Sequence, residues 1–431
     1  MFKINHGQEV YIVDGNRTPF LKARGKPGPF AAADLGVYAA RELFTRLPLA
    51  PNQVGEVIAG CMIPSPDEAN IARIIGLRLG CGKTVPGYTV QRNCASGMQA
   101  LDCAFKDLKL GRHETVLAGG AEAMSRAPLI FNDKMVNWFA DWMGAKSIGQ
   151  RLKLITKIRP SQFVPIISLL RGLRDPVIGL SMGQTAENIA HRFNITREEM
   201  DEFALQSHAR LAKAIDSGYF KNIITPIFDS KGQVYEVDDG LRRDSDMQKM
   251  AKLKPFFDKK YGLVTAANSS QVTDGAAFML LASEAGVKKY NLPVLAKIVD
   301  VEWAGVAPEV MGMGPAHVVP PLLTRHNLKL SDIDYMEINE AFASQVLGCL
   351  RAWESDDYCR SELGLKEALG SMPLDRLNVD GGAVAIGHPV GASGARIVLQ
   401  LVSILRRTQS KRGIATICIG GGQAGAVLIE I

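Results

Sequence analysis

The sequence predicts an α/β fold built from two copies of one βα unit, with a different, mainly helical segment between them. Three observations carry this expectation. Strand-like and helix-like stretches alternate along the 431 residues. A set of landmarks in the first third recurs in the same order in the last third. The stretch between them has helical capping and periodicity instead.

In chain order, residues 10–13 read as a strand, 31–46 as a helix and 54–59 as a second strand. Residues 88–91 alternate in polarity and lead into Arg92-Asn93-Cys94-Ala95-Ser96-Gly97, after which 98–110 reads as a helix. Residues 115–120, Thr-Val-Leu-Ala-Gly-Gly, read as a short buried strand entering a tight turn. In the last third, 295–301 parallels the first strand and 333–338 parallels 54–59. The two Ala-Ser-Gly turns, 95–97 and 392–394, each open a long apolar helix, and 416–421 parallels 115–120. The copies are expected over about 5–127 and 294–431, with their loops at the C-terminal strand ends, where α/β sheets hold ligands.

Thr196-Arg197-Glu198-Glu199 reads as a capping box, with Met200, Phe203, Ala204 and Leu211 on one helical face and a stop at Ser217-Gly218. Residues 129–271 are therefore expected to be an inserted, lid-like unit. Within it, 129–178 holds eight basic residues against three acidic ones, interleaved with Trp138, Phe139 and Trp142. Such a stretch suits a membrane interface or a partner chain, or a lid whose apolar face packs on its own body.

Composition bounds the function. Hydrophobic content of 47% with 22% charged residues is that of an ordinary globular enzyme, and a net charge of +6 is too weak to argue for nucleic acid, so no nucleic-acid partner is expected. Seven cysteines with no Cys-x-x-Cys spacing predict free thiols, and Cys61, Cys81, Cys103, Cys349 and Cys359 read as packing residues. The first ten residues lack an apolar signal core, and the longest apolar run, 163–170, is far short of the ~20 residues a membrane helix needs. A bacterial cytoplasm is the expected location; an organelle matrix would require a transit peptide outside this sequence.

Four segments carry chemistry. Cys94 precedes a helix start, where the helix dipole and free N–H groups would lower its pKa and favour the thiolate; alone it could be a buried structural thiol. His388, in Gly387-His388-Pro389-Val390-Gly391, could take the Cys94 proton and later donate to a thioester oxygen. Metal ligation competes, but no second histidine stands at ligand spacing. Cys418 precedes Gly420-Gly421-Gly422-Gln423-Ala424-Gly425, a formal Gly-x-Gly-x-x-Gly. Only six residues follow, too few for a dinucleotide-binding helix, so a glycine turn lining an acyl-transfer pocket is the better reading. Asn339, in Asn339-Glu340-Ala341-Phe342, is either a helix cap or an amide that holds water.

Taken together and in this order, Asn93-Cys94-Ala95-Ser96-Gly97, Asn339-Glu340-Ala341-Phe342, the 381–389 loop and Cys418-Ile419-Gly420-Gly421-Gly422 resemble the motifs of the thiolases, from the first strand to the last residue. The resemblance implies a layered α/β/α/β/α core, with thiolase halves at 1–128 plus 272–293 and at 294–431, and an inserted loop domain at 129–271. It implies that Cys94 forms an acyl-enzyme, His388 activates it and Cys418 serves as the acid/base. Asn339 would hold an oxyanion-hole water beside His388, and the N–H groups of Cys94 and Gly420 would form a second hole. Arg242 and Ser270 would contact coenzyme A, and Met182 would line the pantetheine channel; Ser181 stands where short-chain relatives often carry histidine.

The implied activity is thiolytic cleavage of 3-ketoacyl-CoA or the reverse Claisen condensation, with coenzyme A as co-substrate, no permanently bound cofactor and no metal. A homodimer or tetramer is implied. The inserts at 129–178 and 353–375 resemble those of the trifunctional β-subunit type, which partners a hydratase/dehydrogenase chain, although such relatives usually carry histidine at the Asn339 position. The alternatives are a β-ketoacyl synthase, which the Cys418 motif opposes, and a non-catalytic lipid carrier of the same fold.

Overall fold

The computed structural model describes residues 7–431; residues 1–6, read above as part of a start without an apolar signal core, lie outside the described residues. Two half-sheets share one strand order. In the N-terminal half it is Gly87–Val90, Glu56–Gly60, Thr115–Ala123, Thr273–Ser283, Val10–Arg17. In the C-terminal half it is Tyr335–Ile338, Arg412–Ile419, Gln423–Glu430, Ala296–Gly305. Glu56–Gly60 pairs in parallel with both Gly87–Val90 and Thr115–Ala123, Tyr335–Ile338 pairs in parallel with Arg412–Ile419, and the remaining pairs within each half are antiparallel. The halves join edge to edge where Tyr11 and Ile12 pair with Lys297 and Ala296.

Strand alternation then builds the layers. Val116 and Ala118 of one half and Ala415 and Ile417 of the other face a shared core with Met98, Leu101, Ile397 and Leu401 of two central helices, Ser96–Lys109 and Val390–Thr408. Leu117 and Ala121 face the opposite way, onto Ala32–Arg46 and Ile71–Leu79. Ile414 and Leu428 do the same onto Gly314–Arg325 and Ala343–Glu354. The order is helix, sheet, central helices, sheet, helix.

One strand expectation fails. Residues 115–120 do not enter a turn; the strand runs on to Ala123, buried throughout. Gly119 and Gly120 are there for close approach: a Cβ on Gly120 would stand 1.9 Å from the Gly391 carbonyl oxygen.

The 129–271 segment contains the expected capped helix. Thr196 Oγ1 accepts from Glu199 N at 3.2 Å and Glu199 Oε2 accepts from Thr196 N at 2.7 Å, opening Arg197–Asp216. Residues 129–178 form two short helices, Asp133–Gly144 and Ile148–Ile155, over a small ribbon pairing Leu129–Ile130 with Ile166–Ile167. Trp138 and Trp142 stack on each other, half-buried, and Trp138 Nε1 donates to the Leu154 carbonyl at 3.0 Å. All seven cysteines are free; Cys103, read as buried, is half-buried. No described helix is long and apolar enough to cross a membrane.

Candidate active site

Cys94 sits in a tight turn ahead of the Ser96–Lys109 helix. Asn93 adopts φ +42°, and the Ser96 hydroxyl closes the turn by donating to Asn93 O at 2.7 Å while accepting from Arg92 N at 2.9 Å. The turn is tied to the far half: Asn93 Nδ2 donates to the Gly420 carbonyl at 2.8 Å. This seats the Gly420 main chain against the Cys94 turn.

The ionisation expected for Cys94 is not met. Burial pushes its pKa up, and the N–H groups of Gly420 and Cys94 only partly oppose it. The resting group is a thiol, so attack requires a base. Cys418, at the end of Arg412–Ile419, is likewise raised, first by burial and then by Cys94 and Cys349 nearby. The Gly-rich run after it is a β-hairpin turn, with Gly421 and Gly422 at φ +91° and +81° and a strand, Gln423–Glu430, beyond it. That geometry agrees with a pocket-lining turn and not with a strand-to-helix phosphate loop.

His388 is the candidate base. Its Nδ1 lies 2.6 Å from Ser393 Oγ, and that hydroxyl donates to the Pro389 carbonyl at 3.1 Å. With its one proton so directed, Ser393 accepts from Nδ1–H. This tautomer leaves a bare lone pair on Nε2, which has no partner among the described residues. Burial, and then the Arg396 cation, depress the His388 pKa to about 3, so the resting ring is neutral, with the Nε2 lone pair unprotonated.

The loops interlock. His388 N donates to Gln271 O at 3.0 Å, and Ser270 N donates to Ala341 O at 2.9 Å, so one segment between the halves fixes both the His388 and Asn339 loops. Asn339 N donates to Thr416 O at 3.0 Å, two residues before Cys418. Buried Glu122 accepts from Met62 N, Ile63 N and Gly391 N at 2.8–3.0 Å, tying the His388 loop to the N-terminal half.

Cys94, Cys418, Gly420 and Met182 therefore lie together. Met182, the first residue of the helix Met182–Arg192, has its sulfur 3.0 Å from where a Gly420 Cβ would stand. Ser181 is that helix's N-cap, accepting from Gln184 N at 3.3 Å. Ser270 lies against the Asn339 loop. Arg242 is further out, its N–H on His208 Nδ1 at 3.2 Å and its charge close to that of Lys22.

Sequence reasoning missed Ser393, Arg396 and Glu122. Ser393 and Arg396 carried a signal: polar side chains three apart in a helix otherwise apolar. A cavity of about 650 Å³ lined by Arg46, Tyr219 and Arg406 borders the C-terminal half of the Val390–Thr408 helix and contains none of the predicted site residues.

The thiolase N-terminal domain model matches residues 10–285 and the C-terminal domain model matches 292–431. The chain belongs to the thiolase family. It is 34% identical over 432 residues to a 3-ketoacyl-CoA thiolase of Pseudoalteromonas translucida, covering 100% of this chain and 98% of that one. Among solved structures, human mitochondrial 3-ketoacyl-CoA thiolase aligns with TM-score 0.84 and 36% identity, covering 98% of each chain. The acetyl-CoA acetyltransferase of Bacillus anthracis aligns with TM-score 0.84 and 38% identity over 99% of each. The thiolase fold and motif order expected from the sequence are thus both present.

Proposed function

We propose that this chain is a 3-ketoacyl-CoA thiolase, cleaving its substrate to acetyl-CoA and a shortened acyl-CoA, or running the reverse condensation. The observation that carries the reading is the Asn93 Nδ2 bond to the Gly420 carbonyl at 2.8 Å, which seats the Cys94 turn on the glycine turn after Cys418, together with a buried histidine that keeps one ring nitrogen free. His388 Nε2 takes the Cys94 proton as the sulfur attacks the 3-keto carbon. The N–H groups of Cys94 and Gly420 receive the negative charge developing on that oxygen. The Cα–Cβ bond then breaks, the acyl group stays on Cys94, and the acetyl-CoA enolate oxygen is held by His388 and by a water on Asn339. Cys418, protonated at rest, gives its proton to the enolate carbon. The resulting thiolate deprotonates coenzyme A, whose sulfur displaces the acyl group from Cys94, and the departing Cys94 thiolate takes back the proton from His388.

Coenzyme A is the co-substrate; a solved structure of the human mitochondrial 3-ketoacyl-CoA thiolase in complex with CoA is among the matches, at 37% identity. Met182, Ser270 and Arg242 are its proposed contacts, and 129–271 is the unit proposed to close over it. Loss of acetoacetyl-CoA on addition of coenzyme A tests the activity directly. A series of longer 3-ketoacyl-CoA substrates then sets the chain length.

The insert favours a second, additional role: peripheral attachment to an anionic membrane surface from a bacterial cytoplasm. Leu129, Phe131, Met143, Ile148, Leu152, Phe163 and Leu170 are all exposed, amid a net charge of +5 over 129–178. Apolar burial and attraction to anionic lipid, about 1 kcal/mol per basic residue near the surface, would act together. Co-sedimentation with neutral and anionic liposomes tests this; binding only to a hydratase/dehydrogenase chain, and to no lipid, would assign the surface to that partner. Gel filtration with light scattering separates dimer from tetramer.

A further inference from the structure

The helix Val390–Thr408 is buried almost all round, yet it carries Ser393, Arg396 and Gln400. Spacings of three and four residues place them on one stripe. Ser393 holds His388, and Gln400 Nε2 donates to Asp380 Oδ2 at 2.5 Å. Between them, Arg396 reaches the end of the Tyr335–Ile338 strand. One guanidinium nitrogen lies 3.2 Å from Glu337 Oε2, and another donates to Asn339 Oδ1, also at 3.2 Å. Glu337 and Asn339 are two residues apart, the strand spacing that puts both on the helix side. All three side chains are essentially inaccessible to water.

A buried guanidinium carries a large desolvation cost, so its geometry is informative. Arginine has only donors, so the Asn339 atom facing it must be the carbonyl oxygen. The amide nitrogen is then turned the other way, and Asn339 Nδ2 has no partner among the described residues. We propose that Arg396 is a positioning residue: it locks the Asn339 amide so that the site is offered an N–H donor and never the carbonyl oxygen. Glu337 is the counter-group that keeps the guanidinium in place. The inference rests on the thiolase reading above. A flipped amide would accept one of the held water's protons in a hydrogen bond instead of donating to its oxygen, weakening the proton that water offers to the negative charge growing on the thioester oxygen and raising the barrier to enolate formation. Acyl transfer at Cys94 uses the other pair of donors, the N–H groups of Cys94 and Gly420, and is independent of this lock.

The test separates the two half-reactions. Arg396→Lys keeps the charge and loses the planar fork. Arg396→Met combined with Glu337→Leu removes the buried pair together, a replacement that often leaves stability unharmed, and serves if the lysine variant folds poorly. Each is assayed for α-proton exchange of acetyl-CoA in deuterated water, for acetyl-Cys94 formation by intact mass, and for KM. Exchange is expected to fall roughly 10- to 100-fold, with acylation and KM changed less than about 3-fold. Asn339→Ala should produce a similar loss, and adding Arg396→Lys to it should cost nothing further. Equal loss of exchange and acylation in every variant, or additive losses with Asn339→Ala, would overturn the positioning role. A wild-type protein that neither thiolyses nor exchanges would overturn the thiolase reading itself, and this inference with it.

Discussion

The two halves share one strand order and one glycine-opened central helix, yet they contribute different chemistry. The N-terminal half brings Cys94, the proposed nucleophile, and the proposed 129–271 insert. The C-terminal half brings the proposed base His388, the amide Asn339 and the proposed acid Cys418. Neither half holds an acyl-transfer site alone. Chemistry becomes available only where the two central helices start side by side, with Asn93 bonded to Gly420 and Glu122 bonded to Gly391. The duplication supplies a scaffold, and the divergence of equivalent loops supplies the division of labour.

The sharpest way to break this comparison is to remove the nucleophile of one half. Cys94→Ser should lower thiolysis by roughly 10³-fold or more, because the hydroxyl is a far weaker nucleophile under the same base. Intact mass should then show no acyl adduct; an adduct on another cysteine would move the nucleophile elsewhere. The complementary change lies in the other half. Cys418→Ala should still acylate at Cys94 from acetyl-CoA while α-proton exchange falls by roughly 10²- to 10⁴-fold. Unchanged exchange would show that the acid/base is not Cys418.

A third change tests the seam between the halves. Gly120→Ala places a methyl group 1.9 Å from the Gly391 carbonyl oxygen, with main chain on both sides. A loss of about 1–3 kcal/mol or more is expected, read as a lower Tm, together with lower activity as the His388 loop shifts. Wild-type Tm with full activity would mean the halves are less tightly fitted than the backbone spacing implies.

The smallest effect concerns the insert. Buried His208 has its pKa depressed to about 4, by burial first and then by Arg242 and Lys22. Unfolding restores the ordinary value near 6.5, so between about pH 6.5 and 4 the unfolded state binds a proton that the folded state does not. Stability from this group is therefore intact above 6.5 and lost as pH falls, by up to about 1.4 kcal/mol per pH unit. His208→Gln should flatten that acid slope relative to wild type in thermal melts at pH 7 and 4.5. Parallel slopes would place the acid sensitivity in other groups.

Local patterns determine much of this molecule. Alternation and turn residues mark most strands, the Thr196 capping box marks its helix start, and the Cys94, Asn339, His388 and Cys418 loops can be named from their neighbours. The same patterns mislead where the cause is distant. Gly119-Gly120 looks like a turn because glycine usually signals one, but here it admits a carbonyl oxygen from residue 391. Cys94 looks like a thiolate from its place before a helix, but burial by the opposite half outweighs the helix end. The tautomer of His388 and the orientation of the Asn339 amide depend on Ser393 and Arg396, polar side chains whose partners the local sequence does not name. Sequence determines which groups and turns exist, because propensity and capping act within a few residues. Tertiary structure decides how those groups ionise and point, because desolvation and hydrogen-bond partners come from whichever segments the fold brings together, from the next turn of chain at Ser393 to the far half at Gly420.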